Sequence, residues 1–539
     1  MDIVRGVVIA IVLLLFTAFP PKAQSESPKL VVLLVVDQMR ADYLDRFQHH
    51  WTAGLKRLIE DGAWFRQAAY PYFQTNTCVG HATISTGSLP ETHGIIGNNW
   101  YDRTEGRLRA CADNSDSPLI SYDDPVEATL GPDNLMVPTL SDELRVQASA
   151  RVVSLSMKPR VAVMLAGHGA DVALWRQGTA WVTSTAYTRE PVAFIEQFLD
   201  ANPVANDLGK IWTRALPENL YLFSGSVDVS RPFEGWATGL PHTLIGLGDS
   251  PDLLFYQKWM ASPRSNDYLG QLAEVIVDVL DLGQREEATD YLALGLSALD
   301  FAGHRFGPQS HEVQDVLIQL DRMLGRLFDK LDTTVGSGRY VVALTADHGV
   351  VPIPERRARL ADAGRIPAQQ IIDAAETAIR VQLGPGRHVA QFEEQDFYFE
   401  PGIYARLLDQ EGALERVADA IRAVEGVAEV YRGDTIRERR NSGIAVERAL
   451  ARNYYPGRSG DLLIVPRPYW TTSVYASGHG TSYDYDTRVP ILLMGDQIVP
   501  GHYLAEVTPA DITPTLAAIT GVTLARTDGR VLTEALGDF

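Results

Sequence analysis

Continuous apolar runs, each ending at a charged residue, set the frame of the chain. Leu30 to Val36 is Val-rich without a polar break and stops at Asp37, the pattern of a strand buried on both faces. Arg151 to Met157 stops at Lys158, Tyr291 to Leu299 at Asp300, and Tyr340 to Ala346 at Asp347 and His348. Helical spacing falls between and after them, at Trp51 to Glu60 and Glu312 to Leu331, with Ala63 to Ala69 extended. The alternation predicts an α/β fold: a mostly parallel central sheet flanked by helices on both faces. Such sheets bind ligands beyond the carboxyl ends of their strands, and Asp37, Lys158, Asp300, Asp347 and His348 are expected there.

Other stretches depart from the alternation. Residues 179–288, rich in Pro, Trp and Gly, are expected to form a loop-rich insertion around the cleft. Residues 352–469 read as a small α+β insertion, with helices over Ala368–Leu383 and Gly412–Val424 and extended Asp396–Phe399 and Val427–Tyr431. Core-like runs return at Asp461–Val465 and Val489–Met494, before a last helix near Ala510–Thr520. At the N-terminus, Asp2 and Arg5 precede an apolar Val7 to Phe19 and then Pro20-Pro21-Lys22-Ala23. That run is short for a spanning helix and suits a signal peptide over 1–23, with an uncleaved anchor as the alternative. The folded part is then 28–539, in the periplasm or secreted.

Composition narrows the function. With 45% hydrophobic and 22% charged residues the chain is an ordinary globular protein. A formal net charge of -20 argues against nucleic acid as a specific partner. A small anionic substrate stays open, because metals or a few local cations can reverse the sign inside one cleft. Cys78 and Cys111 are the only cysteines. Both readings stand, a pair in an oxidising compartment or a free buried Cys78, and nothing favours a cysteine-rich metal site.

The candidate chemistry gathers around Thr77. It lies where a polar aromatic loop, Tyr70-Pro71-Tyr72-Phe73-Gln74, meets a run able to start a helix. A hydroxyl at a helix N-terminus is either a cap or a nucleophile, since unpaired N–H groups there favour negative charge. Asp300 and His304 are four residues apart and can reach one cation. Asp347-His348 and Asp37 end strands, and His479 sits in the Gly-flanked Ser477-Gly478-His479-Gly480-Thr481. Mixed Asp/His ligation without thiolate suits Zn²⁺ better than Mn²⁺ or Fe²⁺. Together these residues suggest a two-metal phosphoryl-transfer site. His81 and His168 are expected to supply supporting hydrogen bonds.

In this order and number the motifs resemble the alkaline phosphatase superfamily, and more closely its PafA-type members, from about Lys29 to the C-terminus. The ending Thr508-Pro509-Ala510-Asp511-Ile512-Thr513-Pro514-Thr515-Leu516 shares the likeness. The resemblance implies an alkaline-phosphatase-like fold and two Zn²⁺ per subunit. One would be held by Asp300, His304 and His479, the other by Asp37, Asp347, His348 and the Thr77 oxygen. It also implies that Thr77 is the nucleophile and Asn98 a donor to a phosphate oxygen. Lys158 and Arg160, in Met157-Lys158-Pro159-Arg160, match the Lys-x-Arg pair of the PafA type. No third, Mg²⁺ site is implied.

Charge selects among the superfamily's reactions. A sulfatase would need Pro and Arg where Cys78-Val79-Gly80-His81-Ala82 has neither. Three Asp carboxylates and a Thr77 alkoxide would offset two divalent ions, leaving Lys158 and Arg160 to match a phosphomonoester dianion. The expectation is an exported zinc-dependent alkaline phosphatase acting on many small phosphate monoesters through a phosphothreonine. A nucleotide pyrophosphatase/phosphodiesterase is the alternative, and a non-catalytic phosphate-binding protein the reading from another class.

Overall fold

In the computed structural model, which describes residues 27–223, 225–358 and 361–537, Leu30–Val36 lies inside an eleven-stranded sheet. On one side it pairs in parallel with Asp290–Leu296, which pairs with Val152–Ser156, which pairs with Val172–Gln177. On the other it pairs in parallel with Tyr340–Thr345. Every side chain of Leu30–Val36 is buried, so both faces are covered and the strand has no polar alternation. Antiparallel partners occur toward the two edges, Ile491–Met494 on one and Ala180–Ser184 on the other. The fold is α/β, with the mostly parallel sheet and packed helices that the sequence predicts.

Two elements differ from expectation. The strand expected over Tyr291–Leu299 ends at Leu296, and a helix, Ala298–Phe306, begins two residues later. Asp300 therefore belongs to the first turn of a helix, not to a strand end; a continuous apolar run does not tell a strand from a buried helical start. The run at Asp461–Val465 does not rejoin the main sheet. Leu462–Pro466 pairs with Asp396–Phe399 and Val427–Arg432 in a separate four-stranded sheet. Five apolar residues fit either sheet, and only tertiary contact decides. That smaller sheet has its own core with the helices Ala368–Leu383 and Ala413–Arg422, including Ile379, Phe397, Val417, Ile421 and Leu462.

The stretch expected as loops also carries helices Leu253–Ala261 and Pro263–Val279. In the second, Leu269, Leu272, Ala273 and Ile276 are buried at helical spacing. A small apolar cluster of Phe73, Leu450 and Leu463 ties the smaller sheet to the loop before Thr77. Among the described residues no helix is long and apolar enough to cross a membrane. The expected signal peptide lies outside the described residues.

Candidate active site

Thr77 is the first residue of a wholly buried helix, Thr77–Thr86, preceded by Asn76 in extended conformation. Its hydroxyl therefore sits at the end with unpaired N–H groups. The helix lies hard against the end of Tyr340–Thr345: a Cβ on Gly80 would fall 2.3 Å from the Asp347 carbonyl oxygen. The C-terminal motif supports the same helix, with the Thr513 hydroxyl donating to the Ile84 carbonyl at 2.7 Å. His81 Nδ1 lies 2.8 Å from the Thr77 carbonyl oxygen and 3.4 Å from Asp347 Oδ2. Burial lowers its pKa to about 4. His81 is thus a helix residue of the site. His168 is not, being bonded to Asp142 and the Leu135 carbonyl.

The acidic and imidazole residues converge in two overlapping groups. Asp300, His304 and His479 offer atoms close enough for one ion, and so do Asp37, Asp300 and His348. His304 Nε2 is 3.2 Å from Asp300 Oδ1. His348 Nε2 is 3.2 Å from Asp347 Oδ2, 3.6 Å from Asp37 Oδ1 and 3.4 Å from Thr77 Oγ1. Asp37, Asp347, His348 and Thr77 are thereby brought together as one set. The rings of His348 and His479 stack with centroids 3.5 Å apart.

The electrostatics fit divalent ions. Burial holds His348 down to about 3, and burial together with His348 and His304 holds His479 well below the usual range. Both rings are therefore neutral, as ligands must be. Burial and the neighbouring Asp37 push Asp347 well above the carboxylate range. Burial would raise Asp300 too, but His304 and Lys158 outweigh it and hold it well below. Asp37 Oδ1 and Asp347 Oδ2 are buried without a hydrogen-bond partner. Orphaned carboxylate oxygens beside neutral imidazoles, with no thiolate, fit a divalent metal ion such as zinc.

Each of the three candidate histidines places its Nδ1 against a backbone carbonyl, two of them on distant segments. His304 Nδ1 is 2.8 Å from the Ser477 carbonyl, His479 Nδ1 2.9 Å from that of Thr75, and His348 Nδ1 2.9 Å from that of Gly349. Each leaves Nε2 for the cleft. Gln38, which sequence reasoning passed over, links the two groups. Its side chain donates to Asp300 Oδ1 at 2.6 Å and its backbone N–H to Asp347 Oδ1 at 3.0 Å. It does so at φ 67°, unusual for a residue with a Cβ. Gly303 leaves room for it; a Cβ there would meet Gln38 Oε1 at 1.8 Å.

Asn98, Lys158 and Arg160 form the remaining wall. Asn98 Oδ1 accepts from the Cys78 N–H at 3.0 Å, so its amide N–H₂ is left for a ligand. Cys78 and Cys111 form a disulfide, and the Cys111 N–H donates to the Asn98 carbonyl at 2.9 Å. Both half-cystines thus hold Asn98. Lys158 Nζ bridges Asp37 Oδ2 at 2.5 Å and Asp300 Oδ2 at 2.6 Å; two of its three donors are taken and one remains. Its pKa is raised, because Asp300 and Asp37 outweigh burial. Arg160 Nε is buried without a hydrogen-bond partner.

Glu394, from the turn between Val389–Glu393 and Asp396–Phe399, reaches the same wall. It accepts from the Asn98 N–H at 3.2 Å and from Asn76 Nδ2 at 2.5 Å. Burial, with Glu393 nearby, pushes its carboxyl up to about 8. Nothing in the local sequence signals this, because the contact depends on how the smaller sheet docks.

Residues 31–488 match the family model described as type I phosphodiesterase / nucleotide pyrophosphatase. Alkaline phosphatase PhoV of Synechococcus elongatus is 31% identical over 94% of this chain and 93% of its own. Alkaline phosphatase PafA of Elizabethkingia meningoseptica is 30% identical over 95% of each. The crystal structure of wild-type alkaline phosphatase PafA superimposes with TM-score 0.86 at 28% identity, over 95% of this chain and 99% of that one. The chain belongs to the type I phosphodiesterase / nucleotide pyrophosphatase family and, over nearly its whole length, is similar to the PafA-type alkaline phosphatases.

Proposed function

We propose that this phosphatase is an exported, zinc-dependent alkaline phosphatase that hydrolyses many small phosphate monoesters through a phosphothreonine on Thr77. The observation that carries the reading is the convergence of Thr77 Oγ1, the Asp/His groups and Lys158 at one helix N-terminus. Asp300, His304 and His479 would hold one zinc, and Asp37, Asp347, His348 and the Thr77 oxygen the other. Bound there, zinc supplies Lewis acidity and lowers the pKa of hydroxyl and water.

The residues do the rest. Thr77 Oγ1 attacks phosphorus in line, the bond to the leaving oxygen breaks, and phosphothreonine forms. Water then attacks phosphorus, releasing phosphate and restoring the Thr77 hydroxyl. The Asn98 amide, the third Lys158 donor and the Arg160 guanidinium hold the non-bridging oxygens, where placed charge does most of the work. Chemistry centred on the phosphoryl group supports a broad range of leaving groups. The disulfide supports an oxidising compartment, periplasmic or extracellular.

The test is turnover of an aryl phosphate and a bis-aryl phosphate by zinc-loaded protein. Thr77→Ala is expected to abolish both. Lys158→Ala with Arg160→Ala is expected to slow the monoester far more than the diester, and equal losses would refute the charge argument. The family model's description favours one second reading, a nucleotide pyrophosphatase/phosphodiesterase; a wild type faster on the diester would establish it.

A further inference from the structure

Beside the phosphate wall lies a cleft of about 190 Å³, lined in part by Lys158, Arg160, Asp300 and His304. Phe233, Gln257, Arg305 and Tyr475 form a second group in the same lining. A phosphate ester held by the first residues would have the second group within the same cleft as its leaving group. Its leaving group would then meet residues outside the proposed catalytic set.

Arg305 is the cation of this second group. Its guanidinium carbon lies 4.1 Å from the centroid of Phe233 and 5.1 Å from that of Tyr475, so aromatic rings take its faces and its N–H edge stays available. Among the described residues no carboxylate forms an ion pair with it. Elsewhere in this acidic protein most half-buried arginines have such a partner, as Arg57 has Asp332 and Arg365 has Glu355. A larger cleft, about 610 Å³, is lined by Arg40 and Arg66, bonded to Asp42 and Asp45, and by Arg357 and Arg488, bonded to neutral groups, and no predicted site residue lines it. What sets the smaller cleft apart is that its unpaired arginine shares the lining with the predicted site residues Lys158, Arg160, Asp300 and His304.

We propose that this cleft is a leaving-group subsite for phosphate monoesters whose leaving group carries its own anion, a carboxylate or second phosphate, recognised by Arg305 with the Gln257 amide beside it. The proposal rests on the monoesterase reading above. The volume sets a limit. It is below the roughly 300–1,000 Å³ of drug-sized pockets, so the leaving group is one ring or a short carbon chain and not a second nucleoside. Bis-phosphorylated sugars and phosphorylated hydroxy acids belong to this class. Phe233, Phe301 and Tyr475 would pack on the carbon skeleton, and the edge of Arg305 would bind the anion as a charge-assisted fork.

Two esters that differ only in charge test it: 4-carboxyphenyl phosphate and 4-carbamoylphenyl phosphate, with zinc-loaded protein. The wild type is expected to show the higher kcat/KM for the carboxylate. Arg305→Met keeps packing and removes the cation; the carboxylate-to-carboxamide ratio is expected to fall tenfold or more, the loss of one charge-assisted hydrogen bond. Arg305→Lys should retain part of the ratio and Gln257→Ala lower it a few-fold. Because the ratio is internal, a less stable variant does not mimic the effect. An unchanged ratio in Arg305→Met would overturn the subsite. Failure of the wild type to hydrolyse either ester would overturn the monoesterase reading itself, and the subsite with it.

Discussion

Replacing Glu394 by alanine tests whether the smaller sheet takes part in catalysis or merely covers the site. Its carboxylate accepts from the Asn98 N–H at 3.2 Å and from Asn76 Nδ2 at 2.5 Å. Asn98 and Asn76 flank Thr77 in space and in sequence respectively. Leaving a buried donor unsatisfied costs about 1–3 kcal/mol, so Glu394→Ala is expected to lower unfolding free energy by roughly 2–5 kcal/mol. The catalytic effect works through Asn98. A donor to developing negative charge is worth about 10²–10³ in rate, and misplacing it costs some fraction of that. Glu394→Ala should therefore lower kcat/KM for an aryl phosphate by about ten- to a hundredfold, and by less than Asn98→Ala. The decisive measurement is the double variant. If Glu394 acts by positioning Asn98, adding Glu394→Ala to Asn98→Ala changes little further, and the interaction energy is close to the whole single-variant effect. Multiplicative losses would reduce Glu394 to a structural residue.

Glu394 also predicts a pH effect. Its folded pKa of about 8 stands above its ordinary 4.5, so the stability it contributes is complete below pH 4.5 and is lost as pH rises through 8. Unfolding curves of Glu394→Gln, which does not titrate, should lose less stability than wild type between those values. Lys158→Met leaves Asp37 and Asp300 without the ammonium between them, and breaking such a buried pair costs about 3–5 kcal/mol. The variant should melt well below wild type in chelator, and zinc should close most of the gap; an equal gap with zinc would show that no ion sits on those carboxylates. Cys78→Ser with Cys111→Ser opens a loop of 33 residues' separation, worth roughly 4 kcal/mol by chain entropy. It should also slow turnover at temperatures where the protein stays folded, because both half-cystines hold Asn98. Unchanged kcat in the folded variant would assign the disulfide to stability alone.

What the sequence could and could not disclose follows from the range of the forces involved. Asp37, Asp347 and His348 were legible because a parallel strand buried on both faces is a local pattern, and its carboxyl end is a local place. Asp300 was legible as a partner of His304, since four residues of helix bring them within 3.2 Å; its element was not, because Leu299 and Ala298 serve a strand or a helix equally well. Gln38 and Glu394 carried no signal at all. Each holds a positive φ, 67° and 56°, which nothing in a polar side chain requires and which tertiary contacts impose. Their partners lie hundreds of positions away, Asp300 for Gln38 and Asn98 for Glu394. Cys78 shows the same division within one residue. As a cysteine beside the nucleophile it fitted either a bonded or a free state, and its function emerged only when Cys111 and Asn98 were brought to it. The residues proposed to touch the phosphoryl group are written in short motifs, whereas those that aim them are written in the docking of distant segments. Variants of Gln38 and Glu394 should accordingly alter the alignment of a complete catalytic set, appearing mainly in kcat, while variants of the motif residues remove members of it.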